Sequence, residues 1–352
     1  MLFIIVHHYV VNSALWSDSG PVTADPLAWK SIFLLIIGAF GKTGINCFVL
    51  ISGYFMCQST ITVKRCAKLY FVAVFYDLVI SSIFWITGYS AFGLADMLPT
   101  FVPIAYVVDD FLPAFLLLYC CVPFLNKLIQ NLTQKEHVYL LLLMFLIYVI
   151  PGTFRFIFSL SLNHVSWYAV LYLFAAYIRK YPHECFGNKR LWKCCTIGCM
   201  LLCAVSVVVC IYAGMENEHY FVSNSNTFLA FFTAISAFLY FKNLKIEHNP
   251  VINALASTCL GVLLIHANGD DMRRWLWEDV LDNVSAYHSD WMIVHVVLST
   301  LVVFLVCAGI DLLRQKYVEK PFFRIWDRFW DKAAKEYKNF EKRLFRKMNI
   351  QE

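Results

Sequence analysis

Long apolar runs separated by short polar stretches make up most of the chain. A bilayer core requires about 20 apolar residues per helix, so each run is a candidate membrane span. The pattern therefore predicts an all-α polytopic membrane protein with about ten transmembrane helices. The candidate spans are residues 1–15, 31–56, 69–89, 111–129, 137–151, 165–179, 194–213, 227–241, 251–268 and 291–313.

The end of the chain has a different pattern, which predicts a cytoplasmic tail helix over 321–352 behind a multi-span membrane domain over 1–320. Apolar residues recur there at helical spacing, and Lys and Arg occupy much of the remaining surface. Such a basic amphipathic helix either lies among lipid headgroups or packs, solvated, on the cytoplasmic loops; its charge favours anionic lipid as a partner. The apolar positions are Phe322, Trp326, Phe329, Ala333, Tyr337, Phe340 and Leu344.

Composition and charge agree with a membrane protein and exclude other classes. Apolar residues make up 60% of the chain and charged residues 15%, against about 45–50% and 25% in soluble domains. These values exclude a soluble globular domain, a disordered chain and a protein that binds nucleic acid through a basic surface. If the N-terminus is cytoplasmic, the cytoplasmic segments hold 24 of the 29 Lys and Arg residues. The positive-inside rule then predicts that both termini are cytoplasmic.

The thirteen cysteines lie mostly inside apolar runs, where a free thiol packs as a small hydrophobic group. Their spacing matches neither a disulfide framework nor a zinc site, so no metal is expected. The first fifteen residues lack a basic start, so no cleavable signal peptide is expected either.

His7 and His8 lie in the first span, where an ionisable side chain is costly and is a functional candidate by default. Adjacent helix positions point about 100° apart, so both rings cannot face lipid. A neutral imidazole can accept a proton from a hydroxyl near pH 7, which suits a general base. The alternative is a pair of histidines that neighbouring helices satisfy.

Lys42 and Asn46 lie four residues apart in the second span and share a helix face. Gly38, Gly41 and Gly44 lie in the same stretch and would either loosen the helix or let another backbone approach closely. Lys42 either extends its ammonium to the outer interface or contributes to an acceptor cavity. Asp77 in the third span is a further charge, which could pair with Lys42 or with a histidine.

Polar residues also gather near both ends of the spans. His266 and Asn268 lie near an outer end, where amides and imidazoles suit the hydroxyls of a sugar acceptor, although ordinary loop polarity explains them equally well. On the cytoplasmic side, Lys64, Arg65 and Lys68 follow the second span. They either satisfy the positive-inside rule alone or bind the phosphates of a nucleotide-bearing donor.

Six motifs follow one another along the chain: His7-His8, GINCFVLISGYF at 44–55, PAFL at 113–116, PFLN at 123–126, LIH at 264–266 and EKP at 319–321. Their order resembles the bacterial integral-membrane acyltransferase family, often called acyltransferase-3, whose members include O-acetyltransferases of surface polysaccharides. The resemblance covers nearly the whole chain, and the Phe-x-x-x-Ser-Gly-Tyr-Phe stretch is its most specific part.

The resemblance implies ten core helices in the cytoplasmic membrane and an enzyme that moves an acyl group, most simply acetyl, from acyl-CoA to a glycan hydroxyl. The acceptor would be a cell-surface or lipid-linked glycan, and acyl-CoA would be a substrate rather than a bound cofactor. His8 matches the family's catalytic histidine, with His7 beside it. Arg65 and Lys68 match a basic pair after the second span, with Lys in place of the second Arg.

One family feature is missing, because the arginine that precedes the catalytic histidine would fall before Met1. We expect the true start of translation to lie upstream, with an in-frame arginine codon. Lys42, Asn46 or backbone amides near the glycines are candidates to steady the oxyanion or orient the acceptor. The alternative function is a transporter or flippase of a polar lipid or glycan, which ten spans and intramembrane charges would also suit.

Overall fold

The computed structural model describes residues 1–91, 93, 111–157 and 162–347, and the regular structure in these residues is helical throughout. Short helical turns, including Gly269–Arg274 and the π-turn Trp275–Val280, connect the longer helices. The longer helices are α1 (Leu2–Val11), α2 (Trp29–Met56), α3 (Val63–Thr87), α4 (Phe111–Asn131), α5 (Gln134–Thr153), α6 (His164–Lys180), α7 (Lys189–Tyr212), α8 (Phe228–Lys242), α9 (Pro250–Ser257 and Cys259–His266), α10 (Met292–Arg314) and α11 (Lys320–Lys347).

Six helical segments in the described part of the chain are long and apolar enough to cross a membrane: α2, α3, α4, α5, α7 and the run Met292–Trp330. The helices α1 and α8 are apolar but shorter. Many apolar side chains of α7 are exposed, Leu201 and Val205 among them, as expected for a surface that faces lipid. These findings confirm a helical membrane protein, whereas the total of about ten spans stays a prediction.

The last helices form one uninterrupted run. A π-turn over Gln315–Glu319 joins α10 to α11 without a loop. The predicted division at 320/321 therefore falls within continuous helix. No Gly or Pro interrupts the π-turn, and Pro321 stands at the second position of α11, where the ring is tolerated.

The glycines of α2 allow α1 to approach closely. The helix breaks at Ala39 and Phe40, between the segments Trp29–Gly38 and Gly41–Met56. A Cβ atom at Gly41 would overlap the ring of His7, and one at Gly44 would crowd Ile4. The glycine pattern therefore has the effect that the sequence predicts, because only a missing side chain leaves room for the α1 histidine.

Two hydrophobic cores hold the helices around a central polar region. One core joins α1, the first half of α2, α3, α7, α9 and α10, and the other joins the second half of α2 to α4, α6 and α8. The cavity described below lies where α1, α2, α3, α4, α6 and α9 converge.

The loop between α7 and α8 packs back onto the first core through His219. This side chain is 3% exposed, and its Nε2 donates to the carbonyl of Leu35 over 2.7 Å. The ring of Trp16 meets it edge to face at 4.6 Å. Burial lowers the pKa of His219 to about 4, although the hydrogen bond to Leu35 raises it in part.

Candidate active site

A chain of hydrogen bonds fixes the protonation of His8. The Nδ1 of His266 lies 2.5 Å from the carbonyl of Val262, which can only accept, so this nitrogen carries the proton. In a neutral imidazole the Nε2 of His266 then accepts, and it lies 3.0 Å from Nδ1 of His8. His8 therefore donates through Nδ1, and its Nε2 is left with a free lone pair. This tautomer is the one that a general base requires.

His7 also forms a hydrogen bond through its Nδ1, but with a backbone carbonyl instead of a second histidine. Its Nδ1 lies 2.6 Å from the carbonyl of Gly38, at the end of the first segment of α2, and donates to it. The Nε2 of a neutral His7 is therefore unprotonated as well. The two rings are 5.7 Å apart between centroids and point to different partners, as adjacent positions on a helix should.

A cavity of about 390 Å³, which we call the upper cavity, brings His8 together with several polar side chains from distant parts of the chain. Four of the predicted candidates, His8, Lys42, Asp77 and Asn268, line it. His164 and Tyr168 of α6 contribute a further polar edge. Apolar residues of α3, α4 and α9 complete the wall, so the cavity combines imidazole and charged groups with apolar surface, as ligand sites usually do.

His266 and Asn46 take positions other than those the sequence suggests. His266 is fully buried behind His8, and it is not among the described residues that line the cavity. Asn46 is also fully buried; its Nδ2 donates to the carbonyl of Ser225 at 2.7 Å, and its Oδ1 accepts from Trp167 Nε1 at 3.1 Å. The geometry therefore favours a positioning role for His266 and a structural one for Asn46, and their predicted contacts with an acceptor stay predictions.

Arg273 lines the same cavity, although the sequence did not single it out as a site residue. Its Nη1 donates to Asp270 at 3.0 Å, and its Nε is buried without a hydrogen-bond partner among the described residues. The sequence offered one signal: Arg273 is among the five basic residues that fall outside the predicted cytoplasmic segments. A cation on the basic-poor side of the membrane departs from the positive-inside pattern.

A second cavity, of about 300 Å³, lies at the other end of α3, and we call it the lower cavity. Arg65 and Lys68, the predicted donor-binding pair, both line it. Arg65 donates through Nη1 to the carbonyl of Thr60 at 2.9 Å, and Lys68 forms an ion pair with Glu319 at 2.5 Å. A phosphate at this site would therefore compete with Glu319 for Lys68.

The linings of the upper and lower cavities adjoin along the same two helices, and we call this boundary the junction. On α3, Val72 lines the lower cavity and Ala73 the upper one; on α9, Gly261 lines the lower cavity and Leu264 the upper one. Arg65 and Asp77 are twelve positions apart, which corresponds to about 18 Å along the axis of α3. An extended molecule held at its charged end by Arg65 could thus direct its other end toward His8.

A buried ionic cluster fixes α10 and α11 against this junction. Arg314 donates through Nε to Asp311 at 2.8 Å and through Nη1 to Glu319 at 2.6 Å, and all three side chains are nearly inaccessible. Tyr76 of α3 also donates to Asp311, at 2.7 Å. A Cβ at Gly261 would overlap the carboxylate of Asp311, so this glycine lets α9 lie directly against the cluster. Mutual pairing compensates for charges that would otherwise be very unfavourable here.

Comparison with known proteins gives one match. The family model of the acyltransferase-3 type, described as an acyltransferase domain, covers residues 1–312. No match was found among the curated proteins or the solved structures.

Proposed function

The chain belongs to the acyltransferase-3 family, and from this premise we propose that it is a membrane O-acyltransferase that uses acetyl-CoA. The acceptor is a hydroxyl of a cell-surface or lipid-linked glycan. The observation that carries the proposal is the series of contacts from the Val262 carbonyl through His266 to Nδ1 of His8, from which we infer that the Nε2 lone pair of His8 is available. The family gives no support to the alternative of a transporter or flippase without acyl chemistry.

In the proposed reaction, His8 Nε2 removes the proton of the acceptor hydroxyl while the oxygen attacks the thioester carbonyl carbon. The new C–O bond forms, and the tetrahedral intermediate collapses with cleavage of the C–S bond. The proton on His8 then passes to the departing thiolate, so the base returns to its starting state. His7, whose Nε2 is also unprotonated, is the second candidate for this role.

The charge that develops on the thioester oxygen requires a donor that is already in place. Lys42 and Arg273 are cations in the lining of the upper cavity, and either can supply this interaction. Asn268 lines the same cavity and offers an amide to the hydroxyls of the acceptor. Arg65 and Lys68 of the lower cavity hold the phosphates of the donor.

A large apolar groove supports a lipid-linked acceptor. This groove, of about 890 Å³, lies between α3 and α10 and is lined by residues adjacent to those of the upper cavity: Ile265 beside Leu264, and Met272 beside Arg273. A lipid tail in the groove would therefore hold the attached sugar close to the upper cavity, which His8 lines.

The helix α11 is proposed to contact anionic lipid. Its exposed aromatic side chains Phe329, Tyr337 and Phe340 support this contact.

The test measures transfer of labelled acetyl from acetyl-CoA to glycan by membranes that contain the protein. His8→Ala should lower the rate by about 10²–10⁴-fold, the usual contribution of a general base. His248→Ala, which changes an exposed histidine of the loop before α9, is the matched control and should retain activity. Full activity in a His7→Ala/His8→Ala double variant would reject the mechanism.

A further inference from the structure

A third cavity, of about 310 Å³, separates the first turn of α3 from the first turns of α11, and we call it the interhelical cavity. We propose that it binds the 3′-phosphate monoester of the donor nucleotide, an inference that rests on the proposed use of acyl-CoA. Its polar lining consists of four cations, Lys64, Lys68, Lys320 and Arg324, and two carboxylates, Glu319 and Asp327.

The cations come in pairs on two facing helices. Lys64 and Lys68 are four residues apart on α3, and Lys320 and Arg324 are four residues apart on α11, so each pair shares a helix face. The four cations outnumber the two carboxylates, so the cavity has an excess of positive charge. A phosphate monoester carries about −1.5 to −2 charges and three acceptor oxygens, which suits several cations arranged around one point.

Two carboxylates of the last helical run form ion pairs with the lysines of α3. Lys64 contacts Asp327 at 2.6 Å, and Lys68 contacts Glu319 at 2.5 Å. The Lys64–Asp327 pair is about half exposed on both sides. Exposed ion pairs of this kind contribute little to stability, so a phosphate can take the place of Asp327.

The interhelical cavity adjoins the lower cavity, since the ion-paired residues Lys68 and Glu319 line both. A donor whose diphosphate lies near Arg65 can extend its acyl-bearing arm along α3 toward His8. Its adenosine end then reaches the interhelical cavity. This cavity would therefore distinguish acyl-CoA from carriers that lack the additional phosphate.

The experiment measures binding of CoA and of 3′-dephospho-CoA to the full chain in phosphatidylcholine nanodiscs by calorimetry. CoA should bind about tenfold or more tightly than dephospho-CoA, given the strength of charge-assisted contacts to phosphate. In a Lys320→Gln/Arg324→Gln variant this preference should largely disappear. Asp327→Asn should increase the affinity for CoA severalfold without affecting dephospho-CoA, a gain that a folding defect cannot produce.

The matched control is Lys316→Gln/Arg328→Gln, which removes the same charge from the same helical run at positions outside the described cavity linings. It should preserve the preference for CoA. Equal affinities of the wild-type protein for both ligands, no binding of either, or an equal loss in the control variant would each overturn the proposal.

Binding and transfer are separate measurements, so the two proposals can fail separately. A preference for CoA in a protein that transfers no acetyl group would retain the phosphate site and overturn the enzymatic function. Acetyl transfer by a protein that binds both ligands equally would support the enzymatic function and overturn the phosphate site.

Discussion

The Nε2 of His266 accepts a hydrogen bond from Nδ1 of His8 over 3.0 Å, although the two residues are separated by 258 positions in the chain. The contact joins the first helix to the end of α9. Because His266 is itself held by the Val262 carbonyl, its ring can bind His8 in only one tautomer. His266 is therefore a positioning residue, which acts through His8.

A substitution at His266 should alter the reaction without altering donor binding. We expect His266→Leu to lower kcat for acetyl transfer by about tenfold to a hundredfold, because His8 loses its fixed tautomer. The KM for acetyl-CoA should stay unchanged. His266→Gln, whose amide oxygen can accept from His8, should recover part of the loss in kcat. The dependence of kcat on pH should also return toward that of the wild-type protein. An equal rise in KM in both variants would contradict this role.

A side chain at Gly41 should disturb the histidine pair. The Cβ of Gly41→Ala would overlap the His7 ring, and we expect a loss of about 1–3 kcal/mol in the free energy of unfolding, as for other overpacked sites. Acetyl transfer should fall as α1 shifts. The control is Gly198→Ala in α7, where a Cβ meets no atom within 4 Å. Thermal unfolding in detergent would measure both, and similar behaviour of the two variants would refute the steric explanation.

Acidification should weaken the fold through His219. The folded-state pKa of about 4 lies below the ordinary value of 6.5, so between these values the unfolded chain binds the proton and the folded protein does not. The free energy of unfolding should therefore decrease as pH falls from about 6.5 to about 4, by about 3 kcal/mol in total.

The matched variant for this prediction is His219→Gln, which retains an N–H donor for Leu35 and cannot titrate. Denaturation curves at several pH values should show a flatter profile for the variant across this window. An identical slope in both proteins would assign the pH dependence to other groups.

The buried ionic cluster should be sensitive to the loss of its cation. Arg314→Met removes the buried guanidinium that Asp311 and Glu319 share and leaves Asp311 with neutral donors only. We expect a destabilisation of about 3–5 kcal/mol, because a buried charge then lacks its counter-charge. Arg274→Met is the control, since Arg274 is about half exposed and its ion pair with Asp271 is 3.2 Å long. Its effect should stay below about 1 kcal/mol. Comparable unfolding temperatures for both variants would rule out a structural role for the cluster.

The proposed orientation, with both termini in the cytoplasm, can be tested with a protease-cleavable tag at the C-terminus. The tag should resist external protease in spheroplasts and be removed in inverted vesicles, because the cytoplasmic segments then face outward. The control is a tag in the acidic loop 214–226, which should show the opposite accessibility. Cleavage of the C-terminal tag in intact spheroplasts would reverse the predicted topology.

The sequence predicted features that depend on local pattern. Apolar runs predicted a helical membrane protein, and the spacing of Gly38, Gly41 and Gly44 predicted a loosened helix or a close approach by another segment. The structure identifies that segment as α1. The depth of His8 in an apolar run also marked it as a candidate base. Each of these follows from the chemistry of neighbouring residues, which a single sequence contains.

Features that depend on distant contacts could not be predicted. No local pattern indicates that His266 binds His8, that Arg273 lines the upper cavity, or that Glu319 forms an ion pair with Lys68. Asn46 illustrates the same limit, because its helix face suggested contact with a ligand, whereas its amide oxygen binds Trp167 and its amide nitrogen binds Ser225. Such roles are decided by which helices pack together.

The junction at Val72 and Ala73 bears on how the two sides of the membrane exchange a chemical group. Under the proposed orientation, a carrier in the cytoplasm enters from one side of this junction and an acceptor on the opposite side enters from the other. In the proposed reaction, the acetyl group then passes from one side of the membrane to the other, while the donor and the acceptor each stay on their own side. Under the proposed function, the cell therefore needs no separate exporter for an activated donor, and CoA stays in the cytoplasm.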